Sequence, residues 1–313
     1  MQLLNRYKGC LLGLAVGDAL GAPVEFRSPG TFEPVTDMLG GGSFGLQPGQ
    51  WTDDTSLALC LAESLIEKQG FDPIDQLQRY VRWWRHGHLS VTDNCFDIGN
   101  TTRQALSRFE KTGQPYCGQA GQCNVGNGSL MRLAAIPMFY LLAPHKLMEF
   151  AASSSRTTHA APEAVDACRY YAVLIAGALA NTDKNQLLSA DFTKIDSSQE
   201  SLGFHPGIQA IMAGSYKSKQ PPQIKGTGYV GDCLEAALWA FYHSSTFAEG
   251  VLMAVNLGDD ADTTAAVYGQ LAGAYYGIEG IPSKWLQTLA QKDLIVSFAQ
   301  RLYDIAIPLP PQT

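Results

Sequence analysis

The sequence predicts an all-α protein, and three observations carry that expectation. Apolar residues recur at three- and four-residue spacing along most of the chain, and period-two alternation of β-branched residues is nearly absent. Gly13, Ala15 and Gly17 near the start, and Ala265, Gly269, Ala272 and Gly273 near the end, mark two helices whose small faces admit a close neighbour. The chain of 313 residues is 46% hydrophobic and only 16% charged, a well-buried globular composition. It reads as one many-helix domain over residues 1–313.

In chain order, the periodicity predicts helices over Leu11–Leu20, Leu57–Lys68, Gln76–Arg85, Thr101–Lys111, Leu130–Leu142, Pro162–Ala180, Asp232–His243 and Phe247–Val255. A further helix follows Ala265, and Lys284–Ile305 supplies one or two more. Between Gly30 and Gln50 lies a glycine-rich, aperiodic loop that leads into Trp51 and an acidic triplet. Residues 182–228 are polar and rich in Ser, Lys and Pro, and read as a surface excursion with a weak helix near Pro206–Ala213. The run Arg79–His88 is basic and aromatic, but its helical spacing makes it an amphipathic helix, or at most a patch for a partner protein.

The totals also exclude function classes. A net charge of −7 and a pI near 5.3 argue against binding to nucleic acid or anionic membranes. The apolar stretch at the start meets Asp18 after about nine residues, too short to span a bilayer. Seven cysteines (Cys10, Cys60, Cys95, Cys117, Cys123, Cys168 and Cys233) form no CxxC, and read as core thiols of a cytoplasmic protein.

Two acidic clusters suggest the chemistry. Thr52, Asp53 and Asp54 precede the helix from Leu57, and Asp260, Asp262 and Thr263 precede the helix from Ala265. One helix cap needs one side chain, whereas each cluster offers three oxygen-bearing groups. Four carboxylates and two threonine oxygens make a hard site that suits two Mg²⁺ or Mn²⁺ ions and disfavours zinc. Helix N-termini would favour the ionised carboxylates.

Five stretches then define a resemblance: GDALGAPVE (Gly17–Glu25), WTDDT (Trp51–Thr55), GNGSLMR (Gly126–Arg132), SRTTH (Ser155–His159) and GDDADTTAAVYGQLAGAYYG (Gly258–Gly277). Together and in this order they resemble the ADP-ribosylglycohydrolase family. DIGNTTRQAL (Asp97–Leu106) is similar to its dinitrogen-reductase-activating members, which remove ADP-ribose from a protein arginine. The resemblance implies a helical fold with a dinuclear metal site held by Thr52, Asp53, Asp54, Asp260, Asp262 and Thr263. It implies Asp97 as acid/base and Glu25 as a mobile acid closing over the metals; taken alone, Asp97 reads as a helix cap and Glu25 as a solvated loop acid. It places the ADP-ribose diphosphate on Gly126, Asn127, Gly128 and Ser129 at a helix start, with His159 in contact and Tyr229 near the adenine or ribose.

Three neighbours stay open at this level. Asp18 is either a paired core acid or a wall of the site, Asp259 a group behind the ligands or a cap, and Arg132 a core salt-bridge partner or a phosphate ligand. The implied activity is metal-dependent hydrolysis of the bond between ADP-ribose and a protein arginine, with ADP-ribose as product. Two other functions fit the acidic clusters: a two-metal phosphohydrolase, which would need Lys or Arg clamps on phosphate, and a catalytically silent ADP-ribose binder.

Overall fold

Two helices built on small residues form the spine of the molecule. In chain order the helices are α1 (Leu3–Gly21), α2 (Asp53–Lys68), α3 (Pro73–His86), α4 (Asn100–Thr112), α5 (Ala135–Phe139), α6 (Pro144–Arg156) and α7 (Pro162–Leu179). They continue with α8 (Lys184–Leu187), α9 (Pro206–Met212), α10 (Val230–His243), α11 (Phe247–Val255), α12 (Ala261–Tyr276), α13 (Ser283–Thr288) and α14 (Lys292–Ala306). The computed structural model describes residues 2–121, 125–192 and 203–307. Cys123, and residues 193–202 of the expected excursion, lie outside them. Among the described residues no strand forms, only isolated bridges such as Gly126 with Tyr229.

The spine is the antiparallel pair α1 and α12. A Cβ added to Gly9, Gly13, Gly17 or Gly21 would strike the backbone of Gly273, Gly269, Ala265 or Asp262 in turn. Glycines at a four-residue step on α1 face Gly273, Gly269 and Ala265 on α12, so the two backbones meet directly. α12 is buried from Ala261 through Ala274, as expected for a helix with no polar face. Around the pair pack α2, α7, α10, α11 and α14, and one hydrophobic cluster runs from Tyr7 to Leu302. Among the described residues no helix is long and apolar enough to cross a membrane.

Several expectations change. The helix expected over Leu130–Leu142 shrinks to α5, with turns before it. Pro137 has no N–H to give to a preceding carbonyl, so the helix can begin no more than a turn before it. α6 was not expected at all: its buried face carries Leu147, Ala151, Ala152, Ser154 and Ser155, and the small and hydroxylated residues hide the apolar period. The excursion includes α8 and α9 and anchors itself through buried Ile208, Ile211, Tyr216 and Ile224. The basic run on α3 is largely paired within the protein: Arg79 bonds Asp75 at 2.6 Å and also Glu63, and Arg85 bonds Glu110 at 2.6 Å.

Candidate active site

The seam between α1 and α12 brings the two acidic clusters together. Gly21 ends α1 against Asp262, and a single 3₁₀ turn, Ala22–Val24, delivers Glu25 beside it. Thr52 Oγ1 lies 3.2 Å from Asp262 Oδ2, and Thr263 Oγ1 donates to Asp54 Oδ2 at 3.2 Å. The members of the two clusters therefore interleave, although more than 200 residues separate them in the chain.

Neither cluster caps its own helix. Thr52 and Asp260 occupy the cap positions of α2 and α12, yet neither side chain bonds a backbone amide there. The cap of α2 comes from α1 instead. Asp18 Oδ1 accepts from the Thr52 amide at 2.8 Å, while its Oδ2 accepts from the Thr55 amide at 3.0 Å and the Thr55 hydroxyl at 2.6 Å. Asp18 is thus a fully bonded core acid and does not wall the cleft. Burial pushes its carboxyl up to about 6, with the Thr55 and Thr52 hydrogen bonds opposing the rise.

A cleft of about 820 Å³ opens above the clusters. Its lining includes Glu25, Asp53, Asp97, Asp259, Asp260 and Thr263; Gly126, Asn127, Gly128 and His159 face it from the other side. No Lys or Arg lines it among the described residues. Thr52, Asp54 and Asp262 lie beneath, buried. Glu25, Asp97 and Asp262 each place a carboxylate oxygen within 4.8 Å of the others.

Asp97 is no helix cap. It sits at φ 60° in the left-handed region, and Gly99 takes the cap position of α4. Its carboxyl shares a hydrogen bond with Glu25, which is buried and not the solvated loop acid its position alone suggests. Burial, then Asp97 and Asp260, push Glu25 up to about 10; burial, then Asp260 and Asp18, push Asp97 up to about 8. Asp53, Asp54 and Asp262 are raised well above the ordinary carboxylate range, first by burial and then by the charge of Asp97, Asp18 and Glu25 respectively.

Such a group of buried acids, with no Lys or Arg among the described residues of the cleft lining, fits bound metal. Glu25 Oε2, Asp54 Oδ1 and Asp262 Oδ1 are buried with no hydrogen-bond partner, the state of ligand atoms that await a cation. All the donors are oxygen, which suits a hard divalent ion. Asn127 contributes one layer further out: its Nδ2 donates to Asp260 Oδ2 at 2.7 Å and so orients that carboxylate. Asp259, also at positive φ, works through its backbone. Its carbonyl accepts from the Phe26 amide at 2.7 Å and its amide donates to the Arg27 carbonyl at 2.8 Å, tying the Glu25 turn to the start of α12.

The substrate-side residues divide. Gly126 and Asn127 pair with the Gly228–Tyr229 segment: the Asn127 amide donates to the Gly228 carbonyl at 3.1 Å. Gly128 lets the His159 ring approach, since a Cβ there would lie 2.9 Å from Cε1. Ser129 turns away from the cleft and bonds Ser155 at 2.8 Å. Because turns and not a helix follow this loop, the expected helix N-terminus for a phosphate is not present. Tyr229 lies over an adjoining pocket, where its hydroxyl donates to Glu163 Oε1 at 2.5 Å. Arg132 is buried outside the cleft lining and bonded to the Gly128 carbonyl at 3.0 Å. Phe26, Ile98, Asn100, Thr101, Thr102, Met131 and Thr227 also line the cleft and were not singled out; of these, only those in the DIGNTTRQAL and GNGSLMR stretches carried a signal.

A helical fold that gathers buried carboxylates under an open cleft is of a class that could hold a hard metal ion beside a substrate. The family-level sequence profile of the ADP-ribosylglycohydrolases matches residues 1–309, and the chain belongs to that family of glycohydrolases. It is 43% identical over 305 residues to the ADP-ribosylarginine hydrolase Tri1 of Pseudomonas putida (strain GB-1), covering 97% of this chain and 80% of that one. The identity is 31% to the ADP-ribosyl-[dinitrogen reductase] glycohydrolase of Rhodospirillum rubrum, covering 92% and 91% of the two chains. A solved structure titled "ADP-ribosylglycohydrolase-related protein complex" superposes with a TM-score of 0.85 at 44% identity, covering 97% of this chain and 99% of that one.

Proposed function

We propose that this enzyme hydrolyses the N-glycosidic bond between ADP-ribose and a protein arginine, in a metal-dependent reaction. The observation that carries the reading is the triad Glu25, Asp97 and Asp262, whose carboxylate oxygens converge within 4.8 Å at the base of a cleft with no Lys or Arg in its lining among the described residues. A cationic guanidinium leaving group is welcome beside carboxylates, whereas a phosphate under attack would want cationic clamps. The same contrast disfavours the phosphohydrolase. The names of the relatives support the arginine linkage; dinitrogen reductase is one candidate target among ADP-ribosylated proteins, and the lower identity to that relative gives it no priority.

Thr52, Asp53, Asp54, Asp260, Asp262 and Thr263 would hold two Mg²⁺ or Mn²⁺ ions. When bound, these supply Lewis-acid polarisation and a template for the ribose hydroxyls. The chain's own groups do the proton work. Asp97, in the cleft and hydrogen-bonded to Glu25, takes a proton from the water that attacks the anomeric carbon. The C–N bond breaks with its electron pair going to the guanidine nitrogen, which gains a proton in turn. Glu25, on the turn that Asp259 ties down, closes the carboxylate ring. Gly126, Asn127 and Gly128 with His159 form the face for ADP-ribose, and Tyr229 marks its outer end. The free state of the six described cysteines supports a place in the cytoplasm.

The test is release of free ADP-ribose from an ADP-ribosyl-arginine protein with Mg²⁺, with Mn²⁺ and with EDTA. Metal-dependent release is expected. Calorimetric binding of ADP-ribose without release would leave the silent binder as the better reading.

A further inference from the structure

Arg132 has a buried guanidinium with no role in the chemistry above. Its partners are neutral oxygens: the Gly128 carbonyl at 3.0 Å, Thr158 Oγ1 at 2.7 Å and Thr157 Oγ1 at 3.5 Å, with the Tyr80 ring 4.6 Å beneath. The hydroxyl of Thr158 connects it to the cleft. Thr158 is fully buried, so its single hydroxyl hydrogen has to find an acceptor inside the protein. Oγ1 accepts from Arg132 Nη2, and a guanidinium has no lone pair to offer in return. The other neighbour of Oγ1 is His159 Nδ1, at 2.8 Å. The hydroxyl therefore donates to Nδ1, which carries no proton, and the ring proton sits on Nε2.

We infer that Arg132 and Thr158 are positioning residues that fix His159 as its Nε2–H tautomer, so that this N–H is presented to the cleft as a neutral donor for a phosphate oxygen of the ligand. The inference rests on the reading of the cleft as an ADP-ribose site. Nε2 lies over two glycines: Cβ atoms at Gly126 and Gly128 would stand 3.5 and 3.1 Å from it. The Thr102 hydroxyl, 3.4 Å from the same Gly128 position, is a second neutral donor on that side of the cleft. Burial, then the charge of Arg132, holds the ring neutral by pushing its pKa down to about 3. Two further bonds hold the residue: Ser155 Oγ donates to the His159 carbonyl at 2.8 Å, and the His159 amide donates to the Ser155 carbonyl at 2.7 Å.

The experiment is a two-bond ¹H–¹⁵N spectrum of the full chain with labelled histidine, with the His159 signals identified by their loss in His159→Gln. The wild-type spectrum should show the Nε2–H pattern. Thr158→Val should abolish that pattern and weaken calorimetric binding of ADP-ribose about three- to tenfold, the scale of one lost hydrogen bond. Thr158→Ser should restore both. An Nδ1–H or doubly protonated ring in the wild type overturns the inference, and needs no variant to fold. So does a valine variant with unchanged tautomer and affinity. A wild type that shows Nε2–H yet fails to bind ADP-ribose sinks the reading of the cleft, while the positioning assignment stands.

Discussion

Gly13 and Gly269 stand so close across the α1–α12 seam that a Cβ on either would overlap the carbonyl of the other. The same seam continues through Gly17 with Ala265 to Gly21 with Asp262, so the packing of two glycine ridges sets where the acidic cluster lies. Gly13→Ala or Gly269→Ala should cost about 1–3 kcal/mol, the usual scale of overpacking, or more because backbone has to give way. Gly70→Ala, whose Cβ would meet only Tyr140 Oη at 3.9 Å, should cost far less. Denaturant midpoints of the three variants decide it, and equal midpoints would mean that the helices shift apart at little cost.

Asp18 makes a separate prediction, because it acts on the site from beneath it. Three donors from Thr52 and Thr55 converge on its carboxylate, and Thr52 in turn touches Asp262. Asp18→Asn keeps one acceptor oxygen but turns an NH₂ group towards donors. Loss of a helix cap costs about 1 kcal/mol, and disturbed groups behind metal ligands cost about tenfold or more in affinity. The expected result is Mn²⁺ binding weakened about tenfold, with modest loss of thermal stability in EDTA. Unchanged Mn²⁺ affinity would reduce Asp18 to a helix cap alone.

Much of this was legible in the chain because the signals were local. Glycines at four-residue steps announced the seam, and Thr/Asp/Asp content before two helices announced the clusters. Less legible were features that arise only when distant segments meet. Asp18 could be read as a paired core acid or as a wall of the site, and only the fold, with α2 starting above it, decides for the bonded core acid. The helix expected from Leu130 failed because a proline position outweighed the apolar period. Arg132 stayed open between a core salt-bridge partner and a phosphate ligand; in the fold it lies outside the cleft lining and bonds neutral oxygens of Gly128, Thr157 and Thr158. Ser129 followed the same motif yet faces α6, since a motif gives sequence position and not side-chain direction.

Asp54 tests whether the buried acids are held together for a cation. It is fully buried, with Oδ1 unpartnered, and burial followed by Asp18 and Asp260 raises its pKa well above the ordinary range. Without metal such a group is a liability to folding. Asp54→Asn should therefore raise the stability of the metal-free protein at pH 8, since the buried carboxyl resists the charge that the unfolded chain carries freely. The same variant should lose the rise in Tm that Mn²⁺ gives the wild type, and with it turnover. Thermal scans with and without EDTA read both effects. A variant less stable than wild type in EDTA, with its Mn²⁺ response intact, would show that Asp54 is a structural acid.

His159 makes one contribution to the acid sensitivity of the fold. Its folded pKa is pushed down to about 3 by burial and the nearby Arg132, whereas an unfolded histidine titrates near 6.5. Between those values the unfolded chain binds the extra proton and the folded chain does not, so stability rises with pH across that window and is lost as pH falls below about 6.5. Above it, neither state is protonated and the contribution is flat. At pH 5 the penalty amounts to about 2 kcal/mol relative to pH 7. His159→Gln keeps a donor in place of Nε2–H but cannot take up a proton. Its stability should therefore fall less than that of the wild type between pH 7 and pH 5, by about that amount. Urea unfolding at the two pH values measures the difference. Parallel losses in both proteins would mean that His159 is protonated in the folded state and that the acid sensitivity arises elsewhere.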